Sequence, residues 1–174
     1  MGAIIRRAEL ADAEALGALH SACWGELYPK TLTPQVLAQL NPGMMEHLWQ
    51  KFVAKGDPYK QWVAEVDGEV VGFVGTGPGR ERGHDNETEL YFLYVAPNHR
   101  RSGIGHDLVE ATEAEYLWVW EGLKSTRAFY SRHQFVPEIV RGTRGRGPNS
   151  RAGAMFGWYF TELKMVRELS TSHA

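Results

Sequence analysis

A short turn rich in arginine and glycine follows the most apolar strand-like run of this chain. The run ends at Val95, and Pro97 interrupts it. Six residues then lead into a helical pattern: Arg100, Arg101, Ser102, Gly103, Ile104 and Gly105. The first N–H groups of a helix have no intrahelical acceptor, so a turn of this kind favours an anion. Glycines allow close backbone approach, and the two arginines add positive charge. The pattern predicts a site for a diphosphate group.

Two other phosphate-binding patterns do not fit this sequence. The Gly-x-x-x-x-Gly-Lys-Ser/Thr motif of the P-loop does not occur. The segment Gly75 to Gly79 follows an apparent strand, but residues 80–86 behind it lack the apolar period of a helix. We therefore interpret Gly75 to Gly79 as a loop and not as a dinucleotide site.

The sequence around the turn resembles the acetyl-CoA signature of the GCN5-related N-acetyltransferases, the GNAT superfamily. The matching positions are Glu89, Leu90, Leu93, Tyr94, Val95, Pro97, Arg100, Gly103 and Gly105. A second stretch, Leu117 to Phe135, is similar to a strand of that family and its following helix, which carries Ala-x-x-Phe-Tyr. With Ile5-Arg6-x-Ala8 at the start, the likeness covers the chain to about Pro137.

The sequence departs from the family pattern at three places. Leu123 stands where the family commonly has an asparagine, so one polar contact to the cofactor arm is absent. Gln134 stands where the family has a glycine before phenylalanine, and it must adopt the backbone conformation that ends the helix. Only His106 to Tyr116 separate the turn from the next strand, which predicts either a short helix or a late strand.

The resemblance implies an enzyme that moves an acetyl group from acetyl-CoA to the primary amine of a small molecule, by direct attack in a ternary complex. It implies no metal. It also implies that the strand ending at Val95 separates from its parallel neighbour, so that its backbone binds the pantetheine arm and polarises the acetyl carbonyl. Leu93, Tyr94 and Val95 are the residues expected to act in this way, together with the turn from Arg100 to Gly105.

Two side chains match the family's proton-transfer positions. An ammonium acceptor with a pKa near ~10 must lose a proton before it can attack, and Glu89 matches the position of the base. The alternative for Glu89 is a salt-bridged strand glutamate. Tyr130 matches the acid that protonates the leaving thiolate, since a phenol with a pKa of ~10 is protonated at pH 7. The alternative for Tyr130 is packing in the core beside Phe129.

Other residues are weaker candidates for a site. Trp24 and Tyr28 match positions that form the wall of the acceptor pocket in the family. Packing of these aromatic side chains in the core is an equal alternative. Three acidic residues near the acceptor side would suit a cationic amine or be simply solvated: Glu81, Asp85 and Glu87. The seven histidines show no metal-ligand spacing, and Cys23 lies on the apolar face of a helix.

The pattern of elements predicts one α/β domain over residues 1–174, with the GNAT fold of a mixed central sheet flanked by helices. The predicted order is β, α, α, β, β, β, α, β, α, β, β. Asp67-Gly68 is the strongest hairpin signal in the sequence. The predicted strands are Ala3–Arg7, Gln61–Val66, Glu69–Gly75, Glu87–Val95, Leu117–Trp120, Phe135–Val140 and Thr161–Glu168. The predicted helices begin at Asp12 and Thr33, with a further helical stretch Met44–Ala54, and then span Gly103–Ala114 and Ser125–His133.

Composition narrows the class of protein further. The 174 residues are 43% hydrophobic and 23% charged, as in a globular protein with an ordinary core. A formal charge of -2 argues against a nucleic-acid partner bound by bulk electrostatics. One cysteine and no membrane-length apolar run lead us to expect a cytoplasmic protein without a membrane partner. The sequence leaves a homodimer open.

The segment Arg141 to Arg151 supports alternatives outside the enzyme class. Its interleaved arginine and glycine are typical of a flexible cationic segment, such as a nucleic-acid-binding or adaptor module. An exposed loop before the final strand is the simpler interpretation. Within the enzyme class, a peptide or protein N-acetyltransferase and an aminoglycoside-type antibiotic-modifying enzyme remain alternatives, because acceptor pockets differ on a shared fold.

Overall fold

The computed structural model of the chain describes residues 2–27, 33–142, 145–155 and 158–168. In these ranges the helices are α1 Ala13–Leu27, α2 Pro34–Gln39, α3 Pro42–Ala54, α4 Ile104–Glu110 and α5 Lys124–Arg132. The strands are β1 Ile4–Arg7, β2 Lys60–Val66, β3 Glu69–Pro78, β4 Thr88–Val95, β5 Tyr116–Trp120, β6 Phe135–Pro137, β7 Ile139–Gly142, β8 Gly145–Pro148, β9 Ser150–Met155 and β10 Trp158–Arg167. No helix among the described residues is long and apolar enough to span a membrane.

A mixed sheet in the order β1-β2-β3-β4-β5-β10-β6 forms the centre of the molecule, and β9 pairs with β10. The β4–β5 pair is parallel, while β4 is antiparallel to β3 and β5 is antiparallel to β10. The strands β7 and β8 form a separate hairpin. This mixed sheet flanked by helices confirms the predicted fold class.

Helices cover both faces of the sheet. Neighbouring residues of a strand point to opposite faces, and Phe73 and Val74 on β3 belong to different core clusters. Phe73 packs with Trp49 of α3 and Leu16 of α1. Val74 belongs to the cluster that contains Leu108 of α4. Cys23 is buried in the core, as predicted.

The hairpin between β2 and β3 confirms its sequence signal. Asp67 has φ 51° and Gly68 has φ 85°. Two consecutive positive φ values match the right-handed twist of the flanking strands, which is why Asp-Gly is favoured here.

The interpretation of Gly75 to Gly79 as a loop is wrong, because β3 continues through Pro78. A Cβ at Gly75 would overlap the ring of Phe92, and a Cβ at Gly77 would overlap Tyr91. These glycines therefore serve close ring packing across the strand and do not mark a turn.

The predicted boundaries are also wrong on the carboxyl side of the turn. The helix α4 has seven residues and ends at Glu110, well before Ala114. The short segment before β5 is thus accommodated by a short helix. The predicted strand Phe135–Val140 is divided at Glu138 into β6 and β7. The predicted loop Arg141–Arg151 contributes to β7, β8 and β9, so its described residues are mostly strand.

The two family departures at α5 have visible consequences. Leu123 precedes the helix and makes no side-chain capping hydrogen bond. Gln134 follows it with φ 66°, in the left-handed region that a glycine would occupy at lower cost.

A partly buried ion pair joins the first strand to the first helical turn. Arg6 Nη1 lies 2.8 Å from Asp12 Oδ2, and the same carboxylate accepts the Glu9 backbone N–H at 2.7 Å. The hydrogen bond from Arg6, opposed in part by burial, holds the pKa of Asp12 below its usual range. Because the folded pKa is below the unfolded one, this contribution to stability is present above the unfolded pKa of ~3.9 and is lost as pH falls through the folded pKa.

We expect Asp12→Asn to lower the free energy of unfolding by about 1 kcal/mol at pH 7, since Arg6 is partly solvent-screened. The difference from the parent protein should shrink as the pH falls through the folded pKa of Asp12, because Asp12 then becomes protonated in both states. Urea unfolding at several pH values measures this. Glu113→Gln, which removes the exposed partner of Lys60, is the control and should leave stability nearly unchanged. An Asp12→Asn defect that persists at low pH would contradict the ion-pair explanation.

Candidate active site

A cleft opens where the two parallel strands of the sheet separate. The strands β4 and β5 pair only at Glu89–Tyr116 and Leu90–Leu117, although β4 continues to Val95. We call the point where pairing stops the fork. The cleft beyond it has a volume of about 670 Å³. Its walls are formed by His20, Trp24, Leu48, Phe52, Arg80, Tyr91, Phe92, Leu93, Tyr94, Val95, Arg100, Trp118, Val119, Trp120, Leu123, Ser125, Thr126, Tyr130, Arg151, Phe160 and Glu162.

The β4 edge of this cleft contains the three residues expected to bind the cofactor arm. Leu93, Tyr94 and Val95 all line the cleft and pair with β3 on their other side. In an antiparallel pair, alternate residues direct their backbone groups away from the partner strand. Part of the β4 backbone therefore faces the cleft and is free of β5.

The turn behind β4 has the backbone geometry that its glycine predicts. Gly103 has φ 95° and Arg101 has φ 61°. Within the described parts of the chain, the N–H groups of Gly103, Ile104 and Gly105 have no hydrogen-bond acceptor. Because α4 is short, these individual N–H groups contribute more than a helix dipole would. The turn can therefore accept an anion at the open end of the cleft.

Arg100 is placed differently from the other residues of the turn. Its guanidinium donates to Glu26 of α1 at 2.9 and 2.6 Å, and to the Val95 carbonyl oxygen at 2.9 Å. These bonds fasten the end of β4 to α1. Arg101 is exposed, and the Ser102 hydroxyl donates to the His99 carbonyl oxygen. The side-chain charge available to a diphosphate is thus that of Arg101.

Tyr130 reaches the cleft from α5. It is 6% exposed and lines the cleft, and its ring packs edge-to-face with Phe129 and Phe135. Leu123, Ser125 and Thr126 line the cleft from the start of the same helix. Tyr130 therefore packs in the core and also forms part of the cleft wall.

Glu89 lies at the fork but is fully buried and forms no part of the cleft wall. Its carboxylate accepts the backbone N–H of Arg80 at 2.9 Å and the Arg80 Nε and Nη2 at 3.1 and 2.5 Å. The Tyr116 hydroxyl donates to the same group at 3.2 Å. Four donors thus occupy its two oxygens.

Charged and aromatic side chains surround the other end of the cleft, which we call the acceptor end. Arg80 lies 4.6 Å from the Tyr91 ring centroid, and Arg151 lies 4.1 Å from that of Trp118. Glu162 Oε2 accepts from Arg151 Nε at 2.7 Å. Burial, with the nearby Glu89 charge, raises the pKa of Tyr91 to about 12, so its phenol stays neutral at pH 7.

The structure describes only one of the two predicted acceptor residues. Trp24 lines the cleft, whereas Tyr28 lies outside the described residues. His20, one turn before Trp24, also lines it and is only 6% exposed. Burial lowers the pKa of His20 to about 4, so its imidazole is neutral at pH 7.

Two of the three acidic residues that the sequence placed near this end are already paired. Glu81 lies 3.0 Å from the buried Lys164 ammonium, and Glu87 lies 2.8 Å from His84. They therefore give the acceptor end less negative character than the sequence suggested.

Two histidines that are distant in sequence meet away from the cleft. Donor atoms of His106, Glu110 and His133 lie within 4.8 Å of one another. The sequence spacing does not show this cluster, because His133 arrives from the end of α5. Arg167 donates to Glu110 at 2.8 Å, so an ion pair already uses that carboxylate. The expected absence of a metal stays a prediction.

The forked sheet, with a glycine-containing turn at the end of its longer strand, fits the GNAT fold that the sequence resemblance implies. Known proteins agree with this assignment. Residues 57–137 match the family model described as an acetyltransferase (GNAT) domain. A "Probable N-acetyltransferase" of Mycobacterium tuberculosis is 27% identical over 139 residues, which are 75% of this chain and 78% of that protein. Over residues 57–137 the chain is therefore similar in sequence to the GNAT acetyltransferases.

Solved structures show the same fold. The ribosomal-protein-alanine N-acetyltransferase of Brucella melitensis is 26% identical with a TM-score of 0.67, and the match covers 95% of this chain and 99% of that one. The PaiA N-acetyltransferase of Thermoplasma acidophilum, solved in complex with coenzyme A, is 17% identical with a TM-score of 0.68. That match covers 94% of this chain and 99% of the other.

Sequence reasoning missed most of the acceptor end. Arg80 directly follows the segment interpreted as a loop, and Arg151 lies in another such segment. Glu162 lies in a predicted strand, where alternation could have marked it as facing away from Leu163. Their proximity depends on β9 and β10 pairing beside β5, which no local pattern encodes.

Proposed function

We propose that this protein is an acetyl-CoA-dependent N-acetyltransferase that acetylates a primary amine of a small molecule in a ternary complex. The observation that carries the proposal is the fork: β4 loses its parallel partner after Leu90 and leaves backbone groups facing a cleft. The pantetheine arm of acetyl-CoA would bind along Leu93, Tyr94 and Val95 like an additional strand. The diphosphate would then lie on the turn from Arg101 to Gly105, whose N–H groups are available.

Acetyl-CoA supplies the reactive thioester, and the chain supplies orientation and proton transfer. The amine nitrogen forms a bond to the acetyl carbon as the bond from that carbon to sulfur breaks. Tyr130, on the cleft wall, would donate its hydroxyl proton to the departing sulfur. A phenol held against Phe129 and Phe135 is well positioned for this step, since packing fixes its ring.

Glu89 is better suited to positioning than to direct proton abstraction. It is buried, and its oxygens accept four hydrogen bonds, three of them from Arg80. We therefore assign Glu89 the role of holding Arg80 at the acceptor end. Glu162 is the carboxylate that lines the cleft, and we assign to it the hydrogen bond to the acceptor ammonium and the removal of its proton.

The pH dependence of two variants separates these roles. We expect Glu162→Gln to lower the rate on the order of 10²-fold near neutral pH, and the rate should recover as rising pH deprotonates the amine without help. Glu89→Gln should lower the rate by a factor that does not depend on pH, because it displaces Arg80. Rate profiles from pH 6.5 to 10 measure both effects. Recovery of Glu89→Gln at high pH, with none for Glu162→Gln, would reverse the assignment.

A thiol-release assay tests the proposed activity itself. Acetyl-CoA is incubated with the protein and a panel of primary amines, including a peptide with N-terminal alanine and an aminoglycoside. We expect free thiol to appear in proportion to enzyme with at least one small amine and N-acetylated product to match it in amount. If the peptide alone is acetylated, the protein-acetyltransferase alternative is correct. If no amine is acetylated although acetyl-CoA binds, the proposed small-amine activity is wrong.

A further inference from the structure

We propose that the acceptor amine also carries a carboxylate, and that the Arg151–Glu162 pair, assisted by Arg80, recognises it as a zwitterion. This inference rests on the proposed function, because it concerns the acceptor of the same reaction. The proposed substrate class is free α-amino acids with an apolar or aromatic side chain.

Arg151 offers an oriented guanidinium edge to the cleft. Its Nε is held by Glu162 at 2.7 Å, and its plane is supported by the Trp118 ring, 4.1 Å away. Among the described residues, neither of its Nη atoms has a hydrogen-bond partner. A guanidinium binds a carboxylate through two parallel N–H donors, and its orientation is already fixed here. Arg151 can therefore bind a carboxylate without first being ordered.

Arg80 brings a second cation to the same end. The fully buried Glu89 holds its Nε and Nη2, yet 54% of the Arg80 side chain remains exposed. A buried carboxylate is costly unless it is paired, so this arrangement fixes Arg80 strongly in one place. Two positioned guanidiniums at one end of a cleft favour an anionic group on the substrate.

Glu162 makes the recognition specific for a zwitterion. Its carboxylate lies beside Arg151 on the cleft wall, so negative and positive groups alternate there. An α-amino acid has its ammonium and carboxylate on one carbon. Its ammonium can therefore face Glu162 while its carboxylate faces Arg151. The neighbouring acidic residues Glu81 and Glu87 are engaged by Lys164 and His84 and do not line the cleft, so among the described residues Glu162 is the carboxylate on its wall.

The remaining walls indicate the nature of the substrate side chain. Phe52, Phe92 and Phe160 line the cleft together with Trp24 and Trp118. Aromatic walls of this kind stabilise apolar or aromatic groups by burial. Since the 670 Å³ cleft must also hold the end of the pantetheine arm, a small amino acid fits better than a long peptide.

Matched acceptors test the inference. L-Phenylalanine, L-phenylalaninamide and 2-phenylethylamine share the ring and the amine but differ in the carboxylate. We expect kcat/KM, calculated per free amine, to be about 10- to 100-fold higher for L-phenylalanine than for either analogue, as for a charge-assisted pair of hydrogen bonds. L-Tryptophan and tryptamine repeat the comparison on a larger ring. Equal or faster turnover of the amines without a carboxylate would overturn the inference.

Variants of the two arginines test whether Arg151 and Arg80 cause the preference for an acceptor with a carboxylate. Arg151→Gln should reduce the ratio for L-phenylalanine over 2-phenylethylamine toward one, because the value for the amino acid should fall further than the value for the amine. Arg80→Gln should reduce this ratio by a smaller factor. Arg151→Lys should retain part of the preference for L-phenylalanine. Arg132→Gln, at the exposed end of α5, is the control and should leave the ratio unchanged. Thermal unfolding shows whether each variant is folded. A ratio unaltered in both Arg151 variants would overturn the inference.

The test separates failure of this inference from failure of the proposed function. If acetyl-CoA does not bind, both are wrong. If acetyl-CoA binds and other amines are acetylated without a preference for the carboxylate, only the zwitterion inference is wrong.

Discussion

Replacing Tyr130 with phenylalanine is expected to lower kcat on the order of 10²- to 10⁴-fold, the range typical of a positioned acid. The ring keeps its contacts with Phe129 and Phe135, so the fold and the affinity for acetyl-CoA should be unchanged. Since the proposed role of the hydroxyl begins only as the thiolate departs, the loss should appear in kcat and not in KM for acetyl-CoA. Steady-state kinetics with any acceptor that turns over measures this.

The companion variant Phe129→Leu separates chemistry from packing. Phe129 borders the same part of α5, but it carries no proton to donate. We expect it to lower thermal stability while kcat stays within a few-fold of the parent value. If Tyr130→Phe keeps the parent kcat, Tyr130 is a packing residue and the assigned proton donor is wrong.

A valine at Gly103 is expected to raise the dissociation constant of acetyl-CoA by roughly 10²- to 10⁴-fold. Gly103 has φ 95°, which a β-branched residue adopts only under strain. A Cβ there has no protein atom within 4 Å, so it would project into the open space proposed for the diphosphate. Loss of two charge-assisted hydrogen bonds at about 1.5–3 kcal/mol each gives this range. Titration calorimetry measures the change.

The matched control for Gly103→Val is Gly68→Val in the β2–β3 hairpin. Gly68 also has a positive φ, 85°, and a Cβ added there would have no neighbouring atom within 4 Å, but it is remote in sequence from the turn. Both variants should be less stable than the parent, and only Gly103→Val should lose acetyl-CoA affinity. If the two variants bind acetyl-CoA equally well, the diphosphate does not lie on the Gly103 turn.

The local parts of this molecule could be predicted because adjacent residues encode them. Asp67-Gly68 has the φ values that its turn requires, and Gly103 has the φ that suits a turn before a helix. Adjacent residues do not encode the separation of β4 from β5. The resemblance to a family implied it, and periodicity alone gave no sign of it.

The acceptor end could not be predicted because its residues meet only through long-range pairing. Arg151 is brought beside Glu162 by the β9–β10 register, and Glu162 is brought to the cleft by β10 pairing with β5. Arg80 follows a segment with the pattern of a solvated loop, but the buried Glu89 nine positions later fixes it. Burial and charge pairing, which decide these roles, are properties of the folded chain.

Binding of acetyl-CoA to the parent protein is the most direct test of the central claim that the fork is the donor site. Calorimetry should show one site per chain, and a hundredfold excess over Kd should stabilise the fold by about 2.7 kcal/mol. Amide hydrogen exchange should slow in residues 91–95 and 101–106, and should not change in β1 or β2. Absence of binding at millimolar acetyl-CoA, or protection confined to other segments, would contradict the account.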